Sequence, residues 1–319
     1  MMKSRVTSCV LVNLFIGIDV INNSSGAIEG EGFDAKQIRL RRSARALPCH
    51  LFQIMAGAWN LIGWGVLLCL CSLTSEAQNK QGTPVSQGRD CSHIKSVSPA
   101  ASSGVYFIQP PGVRSPFQVY CEMRSDGGWT VFQKRSGGHL SFRRNWKEYK
   151  WGFGDLRGDH WLGLQRVWEL TRGRQRRSML RVDLWDFEGG TAFAEYADFK
   201  LGSEASAYRL SVNTYRGTAG DAIRGTYSGI DQAGAGFSTE DRDSDGCSPC
   251  IFGDVAVESC SREEGGAGWW FSRCGSASLN GDWHPQGSHL GWASGLHWLT
   301  WRGPAPYSAR ATRMMVRTL

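Results

Sequence analysis

The chain has 319 residues, of which 41% are hydrophobic and 20% are charged. This balance excludes an intrinsically disordered protein and allows a sizeable buried core. The formal net charge is +7, a mild excess that does not predict a nucleic-acid-binding protein. The excess is compatible with sulfated glycans or other acidic surfaces as partners, and equally with ordinary solubility.

An apolar run at residues 61–73 predicts export from the cell. It is followed by Ser75-Glu76-Ala77, which places small residues at the two positions that a signal peptidase reads. Residues 55–77 therefore form a complete signal peptide if translation begins at the first of them. Residues 1–54 are then either a leader or the product of an upstream start.

The competing interpretation of this run is a signal anchor. A basic segment at residues 39–45 would then lie inside the cell, beside a membrane crossing. The apolar run is short for a span of about 20 residues. We therefore expect a secreted, extracellular protein with no membrane span in its mature form.

Residues 78–90 are polar, contain Gly and Pro, and predict a short linker. No apolar heptad pattern precedes Cys91, so we expect no coiled coil for oligomerisation. The globular domain is expected to cover residues 91–318.

The predicted class is α+β with a loop-rich carboxyl end. Four segments predict strands because they alternate or are rich in β-branched and aromatic residues, namely 105–109, 117–123, 129–135 and 179–187. Residues 145–154 and 160–171 favour helices. The last quarter is rich in Gly, Ser and Trp and has little periodicity, so disulfides or a metal ion must hold it.

Six of the ten cysteines follow the predicted signal peptide: Cys91, Cys121, Cys247, Cys250, Cys260 and Cys274. An even set in an exported chain predicts a disulfide framework. Cys247 and Cys250 also have the C-x-x-C spacing of a redox pair or of half a zinc site. The aspartates before them would raise a thiol pKa that redox chemistry needs lowered, and export disfavours free thiolates. A structural role is therefore favoured.

Sequence signals for an enzyme are absent. The chain has no G-x-S-x-G nucleophile elbow, no H-E-x-x-H zinc motif and no phosphate-binding loop. Its seven histidines are scattered along the sequence. We therefore expect a non-enzymatic binding protein.

Three alternating aspartates, Asp241, Asp243 and Asp245, precede a glycine and imitate the start of an EF-hand calcium loop. The imitation fails further on, because Phe252 stands where the bidentate Glu of that loop belongs. On composition alone, a solvated acidic turn is the favoured interpretation.

Two further clusters carry alternative interpretations. Trp269, Trp270, Phe271 and Trp283 either fill a core that lacks regular structure or line a shallow ligand pocket. A basic cluster either forms a solvated loop or binds heparan sulfate: Arg172, Arg174, Arg176 and Arg177.

Several stretches, quoted in chain order, resemble one family: YCEM…GGWTVFQKR, NWKEYKWGFGDLRGDHWLGL, YRLSVNTYRGTAGDA, FSTEDRDSDG, GWWFSRC and SLNG. Together they resemble the fibrinogen carboxyl-terminal domain family over residues 88–318. The tail that begins LHWLTWRGP is similar to the angiopoietin and angiopoietin-like branch. The resemblance implies a disulfide-tied amino-terminal subdomain, a twisted antiparallel sheet with helices, and a loop-rich carboxyl-terminal subdomain that binds calcium.

The resemblance also implies a ligand set for Ca²⁺. Asp243 and Asp245 would provide side-chain oxygens, and the backbone oxygens of Cys247 and Pro249 would complete the shell. Asp241 would hydrogen-bond the loop rather than the metal. The loop after Asp245 departs from the commoner family spacing.

The disulfide pairing follows from the same resemblance. The family pattern implies Cys91–Cys121 and Cys260–Cys274, which leaves Cys247 to pair with Cys250.

The resemblance implies a secreted ligand of the angiopoietin-like type that binds a cell-surface receptor or another extracellular partner. The alternative is a calcium-dependent lectin for acetylated or anionic glycans. A third hypothesis is a matrix protein held by glycosaminoglycans through the basic cluster.

Overall fold

The computed structural model describes residues 87–173, 176–225, 230–288, 295–303 and 307–319. The predicted leader, the signal peptide and residues 78–86 of the predicted linker lie outside the described residues. Residues 87–90, also assigned to the linker from sequence, belong to the fold, because two of them form a strand. A search of the helices in these ranges finds none with the length and apolar character of a membrane span.

The strands in chain order are β1 (Gln87–Gly88), β2 (Gly104–Ile108), β3 (Phe117–Arg124), β4 (Gly127–Arg135), β5 (Phe153–Gly154), β6 (His160–Trp161), β7 (Ser178–Trp185), β8 (Thr191–Tyr196), β9 (Lys200–Leu201), β10 (Leu210–Ser211), β11 (Tyr215–Gly217), β12 (Cys250–Phe252), β13 (Val255–Val257), β14 (Ala277–Ser278), β15 (His297–Trp298) and β16 (Ala311–Thr318). The α-helices are α1 (Cys91–Val97), α2 (Trp146–Trp151), α3 (Leu164–Thr171) and α4 (Cys260–Glu263). A single 3₁₀ turn covers Glu204–Ser206.

One large sheet contains most of the strands up to residue 217, together with the carboxyl-terminal strand β16. Its strand order is β1-β2-β3-β4-β16-β7-β8-β11, and β6 joins it beside β4 with β5 at its side. β1 pairs with β2 in parallel, and the other pairs are antiparallel. β16 lies between β4 and β7, so the segment that follows the loop-rich region returns to the middle of the sheet.

The two faces of the sheet differ in chemistry. Leu180, Val182 and Leu184 alternate along β7 and are buried in the main apolar core. Arg181 and Asp183 point to the other face, where salt bridges link β7 to its neighbours. One face of β7 thus carries largely buried ion pairs, and the other face contributes to the main apolar core.

Local capping fixes the helices that border the candidate site. The Asn145 side chain accepts the backbone N–H of Glu148 at 3.0 Å, and the Glu148 carboxylate accepts the N–H of Asn145 at 3.1 Å. This reciprocal pair is a capping box, which satisfies two helix-terminal donors. It begins α2 at Trp146, whose ring is buried against the loop region.

The α+β prediction with a loop-rich carboxyl end is confirmed. Between β11 and β16 the described elements are four strands of two or three residues and the short helix α4. The predicted helix at residues 160–171 is shorter than expected. His160 and Trp161 form β6 instead, because they pair with β4 and β5.

Candidate functional site

The acidic loop after Phe237 is anchored to helix α2. Asp241 Oδ1 accepts the backbone N–H of Trp146 at 2.8 Å and the hydroxyl of Thr239 at 2.7 Å. These two donors tie the Asp241 side chain to the start of helix α2 and to its own loop. The loop therefore begins from a fixed point on the folded domain.

The other two aspartates form an adjacent pair. Asp245 accepts the N–H of Cys247 at Oδ1 and the N–H of Cys260 at Oδ2, both at 2.8 Å. Asp243 Oδ1 accepts the N–H of Asp245 at 3.0 Å. Burial is the main cause that raises the pKa of Asp245, and the nearby Asp243 carboxylate raises it further.

The chemistry of this pair fits a hard divalent cation. Within the described part of the chain, neither Asp243 nor Asp245 forms a salt bridge, although Asp243 is exposed beside a second carboxylate. Calcium prefers carboxylate and carbonyl oxygens, and the loop from Cys247 to Pro249 brings backbone carbonyls next in sequence. The residues present therefore suit calcium, which would neutralise two neighbouring negative charges.

The described part of the chain contains three disulfides, Cys91–Cys121, Cys247–Cys250 and Cys260–Cys274. These are the three pairs that the family resemblance implies. In the residues described, the sulfurs of Cys247, Cys260 and Cys274 lie within 4.8 Å of one another. They belong to two disulfides, so they offer no thiolates to zinc, and the redox and zinc alternatives for the C-x-x-C motif are not supported.

A β-hairpin that sequence reasoning missed projects beside the acidic loop. β12 and β13 pair Cys250 with Val257, Ile251 with Ala256, and Phe252 with Val255. Gly253 and Asp254 form the two-residue turn, and Gly253 has a positive φ of 59°. A Gly-Asp pair between two short β-branched runs was the sequence signal for this turn.

The predicted aromatic pocket is wrong for three of its four residues. Trp269, Trp270 and Phe271 are completely buried, so they form core and cannot wall an open site. The ring centroid of Trp270 lies 5.0 Å from that of Phe237, and its N–H donates to the Tyr208 carbonyl at 2.9 Å. The segment has little regular secondary structure, and these aromatic side chains fill its core.

The fourth aromatic residue, Trp283, is half-buried at a different place. Its N–H donates to the Arg310 carbonyl at 2.9 Å, and its ring centroid lies 6.3 Å from that of Phe187. It therefore does not share a surface with the other three.

Two buried titratable groups in the loop region carried no sequence signal. Burial raises the pKa of Glu264 well above its usual value. Burial lowers the pKa of His297 to about 4. Among the residues that the structure describes, neither Glu264 Oε2 nor His297 Nδ1 has a hydrogen-bond partner. Burial therefore favours the uncharged form of both groups.

The arginines of the predicted basic cluster contact the chain itself. Arg172 donates to the Gly112 carbonyl at 2.6 Å, Arg176 pairs with Asp90 at 3.3 Å, and Arg177 pairs with Asp198 at 3.3 Å. Arg174 lies outside the described residues. Of the three that are described, only Arg177 is largely exposed.

An open cleft of about 590 Å³ borders the acidic loop on the side of α2. Its lining is rich in charged side chains, namely Arg143, Arg144, Asn145, Glu240, Asp241 and Arg262. Arg143 donates to both carboxylate oxygens of Glu240, which raises the pKa of Arg143 and lowers that of Glu240. Much of the charge in this cleft is therefore balanced internally.

The sequence matches the family described as fibrinogen beta and gamma chains, C-terminal globular domain, over residues 87–319. It is 42% identical to human angiopoietin-4 over 313 residues, which cover 98% of this chain and 54% of that protein. It is 41% identical over 220 residues to human fibrinogen C domain-containing protein 1, covering 67% of this chain and 43% of the relative. The chain thus spans about half the length of the curated relatives it matches.

Solved structures agree with these relatives. The fibrinogen-like globe domain of human ANGPTL2 matches with a TM-score of 0.61 and 35% identity, covering 72% of this chain and 98% of that one. Lamprey fibrin D-dimer, solved with the peptide ligand Gly-His-Arg-Pro-amide, matches with a TM-score of 0.63 and 33% identity, covering 77% and 78%. The chain therefore belongs to the fibrinogen carboxyl-terminal domain family, in its angiopoietin-like branch.

Proposed function

We propose that this protein is a secreted, non-enzymatic ligand that binds a cell-surface receptor through its fibrinogen-like domain. The observation that carries the proposal is the 42% identity to human angiopoietin-4, which extends over almost the whole chain. Nothing in the described part of the domain assembles a nucleophile, base and oxyanion site of the kind that enzymes need. Because Trp269, Trp270 and Phe271 are buried, the surface loops would bind the partner.

Calcium would support this function by fixing the acidic loop. Asp243 and Asp245 would bind the ion through their side chains, and backbone oxygens of Cys247 and Pro249 would complete the shell. A bound divalent ion would offset the repulsion of the two carboxylates and hold the base of the adjoining hairpin. Asp241 would stay outside the shell, hydrogen-bonded to α2.

Binding to intact cells tests the receptor proposal. Labelled full-length chain should bind cultured cells saturably, and prior trypsin treatment of the cells should abolish the binding. Enzymatic removal of cell-surface glycans should leave it in place. Binding that is absent, or that never saturates, would refute the proposal.

A glycan array distinguishes the lectin alternative. Calcium-dependent binding to acetylated sugars that is lost with chelator would favour the lectin over the receptor ligand. A triple Arg174/Arg176/Arg177→Ala variant on heparin addresses the glycosaminoglycan hypothesis. We expect little loss of heparin retention, because Arg176 and Arg177 already pair with carboxylates of the domain.

A further inference from the structure

The hairpin formed by β12 and β13 exposes an apolar surface. Among the described residues, seven large hydrophobic side chains are exposed, and three of them lie on this hairpin. Ile251 is 59% exposed, Phe252 45% and Val255 59%. The other four are dispersed over the rest of the described chain, whereas these three lie within five residues. Phe252 and Val255 are directly paired and share one face of the hairpin, whereas Ile251 lies on the other face, so the exposed apolar side chains surround the tip. Exposed apolar side chains gathered in this way are typical of an interaction site.

The hairpin is also anchored at its base. Cys250, the first residue of β12, is buried and bonded to Cys247, and Val257 at the opposite end of the pair is buried as well. Three residues later, the N–H of Cys260 is bound by Asp245. A fixed base means that ordering the apolar tip on binding costs little conformational entropy.

The charges around the tip identify the chemistry of a partner. Asp254 occupies the turn and Glu258 follows β13, and both side chains are exposed. In the ranges that the structure covers, neither residue has a salt-bridge partner. Apolar side chains flanked by unpaired carboxylates are complementary to an apolar groove with a basic rim.

We propose that the hairpin, residues 250–257, is the element that docks into an apolar groove rimmed by Lys and Arg on the receptor. This inference rests on the proposed receptor-ligand function. A second copy of the chain is a poorer occupant, because two acidic hairpins would face each other with like charges. An anionic membrane surface is disfavoured by the same carboxylates.

The test compares two matched triple variants of the full chain in the cell-binding assay. The hairpin variant is Ile251→Ser/Phe252→Ser/Val255→Ser. The control is Val97→Ser/Phe107→Ser/Trp151→Ser, whose side chains are 51%, 45% and 54% exposed and lie outside the hairpin. We expect the hairpin variant to weaken binding roughly 30-fold or more and the control to stay within about twofold. Thermal melts of both variants must match the unmodified chain.

A charge-reversed variant tests the basic rim. Asp254→Lys/Glu258→Lys should slow association with the receptor. For the unmodified chain the association rate should fall as salt is added, and for the variant it should not. Asp231→Lys, an exposed acidic site elsewhere, should leave both quantities unchanged.

The possible outcomes distinguish a failure of the hairpin proposal from a failure of the receptor-ligand proposal. Absence of saturable binding by the unmodified chain would refute the receptor proposal and this inference together. Binding that the hairpin variant retains would refute only the hairpin. Two other results would also overturn it: hairpin-dependent dimerisation in sedimentation, or hairpin-dependent binding to phosphatidylcholine–phosphatidylserine vesicles.

Discussion

The central sheet and the loop region at residues 230–303 satisfy their backbone hydrogen-bonding groups by different means. In the sheet, ladders of backbone hydrogen bonds satisfy the chain, and a charged network covers the outer face. In the loop region the ladders are short, and buried side chains add hydrogen bonds to backbone groups. Gln133 donates to the Leu279 carbonyl, and Asn280 donates to the Gly268 carbonyl, at 2.8 and 2.9 Å.

The difference teaches where each region is vulnerable. A ladder distributes its hydrogen bonds over many backbone groups, so one side chain matters little to it. A loop region that depends on individual buried side chains and on disulfides loses several contacts when one of them is removed. The loop region can in return vary its surface segments, such as the hairpin, without disturbing the sheet.

The largest effect is expected from Trp270→Ala. The ring is completely buried, packs against Phe237 and donates to the Tyr208 carbonyl. Its loss should lower the free energy of unfolding by about 3–5 kcal/mol in urea titrations. Trp151→Ala, at an exposed position, should change it by less than about 0.5 kcal/mol. If both variants lowered the free energy of unfolding by the same amount, the buried tryptophan would not be more important to stability than the exposed one.

Removal of the Cys260–Cys274 disulfide comes next. Its 14-residue separation predicts a loss of about 3 kcal/mol from chain entropy. Hydrogen exchange should increase across residues 237–280 while the amides of β4 and β7 stay protected. Removal of Cys91–Cys121 should cost a similar amount and leave residues 237–280 protected. If hydrogen exchange became faster to the same extent in the sheet and in the loop region of both variants, the two regions would not differ as described.

A smaller loss is expected from Arg181→Met in the sheet. Arg181 bonds Asp183 at 2.7 Å and the buried Glu195 at 2.6 Å. The variant should lose about 2 kcal/mol, because Arg216 still pairs with Glu195. Arg224→Met, an exposed arginine paired with Asp221, should cost less than about 1 kcal/mol. Denaturant midpoints would show whether the two losses differ.

Calcium should stabilise the loop region selectively. With the ion in large excess over its dissociation constant, the gain would be about 1–3 kcal/mol, seen as a higher Tm than in EDTA. Asp243→Asn should abolish this response. Asp241→Asn should lower the Tm yet retain the response, because Asp241 bonds α2 and not the proposed ion. An identical Tm with and without EDTA in the unmodified chain would exclude the site.

A pH dependence is also expected from His297. Its folded-state pKa of about 4 lies below the ordinary value of 6.5. Between these values the unfolded chain binds a proton that the folded chain excludes, so stability should fall as pH decreases from 6.5 toward 4. His297→Gln should flatten this part of the profile. A steeper profile in the variant would show that the imidazole is not held neutral by burial.

Sequence periodicity predicted the sheet well and the loop region poorly, for a physical reason. Residues 117–123 and 129–135 alternate or are rich in β-branched and aromatic residues, and the observed strands differ from them by at most two residues at either end. Trp270 and Glu264 are buried by contacts distant in sequence, which no local pattern records. The run of aromatic residues at 269–271 was predicted to line a pocket, but these residues form core. Composition alone does not distinguish a buried aromatic core from an aromatic pocket.

The placement of β16 has a consequence for biosynthesis. Neither β4 nor β7 can complete its pairing until residues 311–318 have emerged from the ribosome. Until then, two long strand edges stay unpaired, and such edges are prone to aggregate. A premature stop codon just before residue 311 would make that vulnerable intermediate permanent, and we expect cellular quality control to retain such a product.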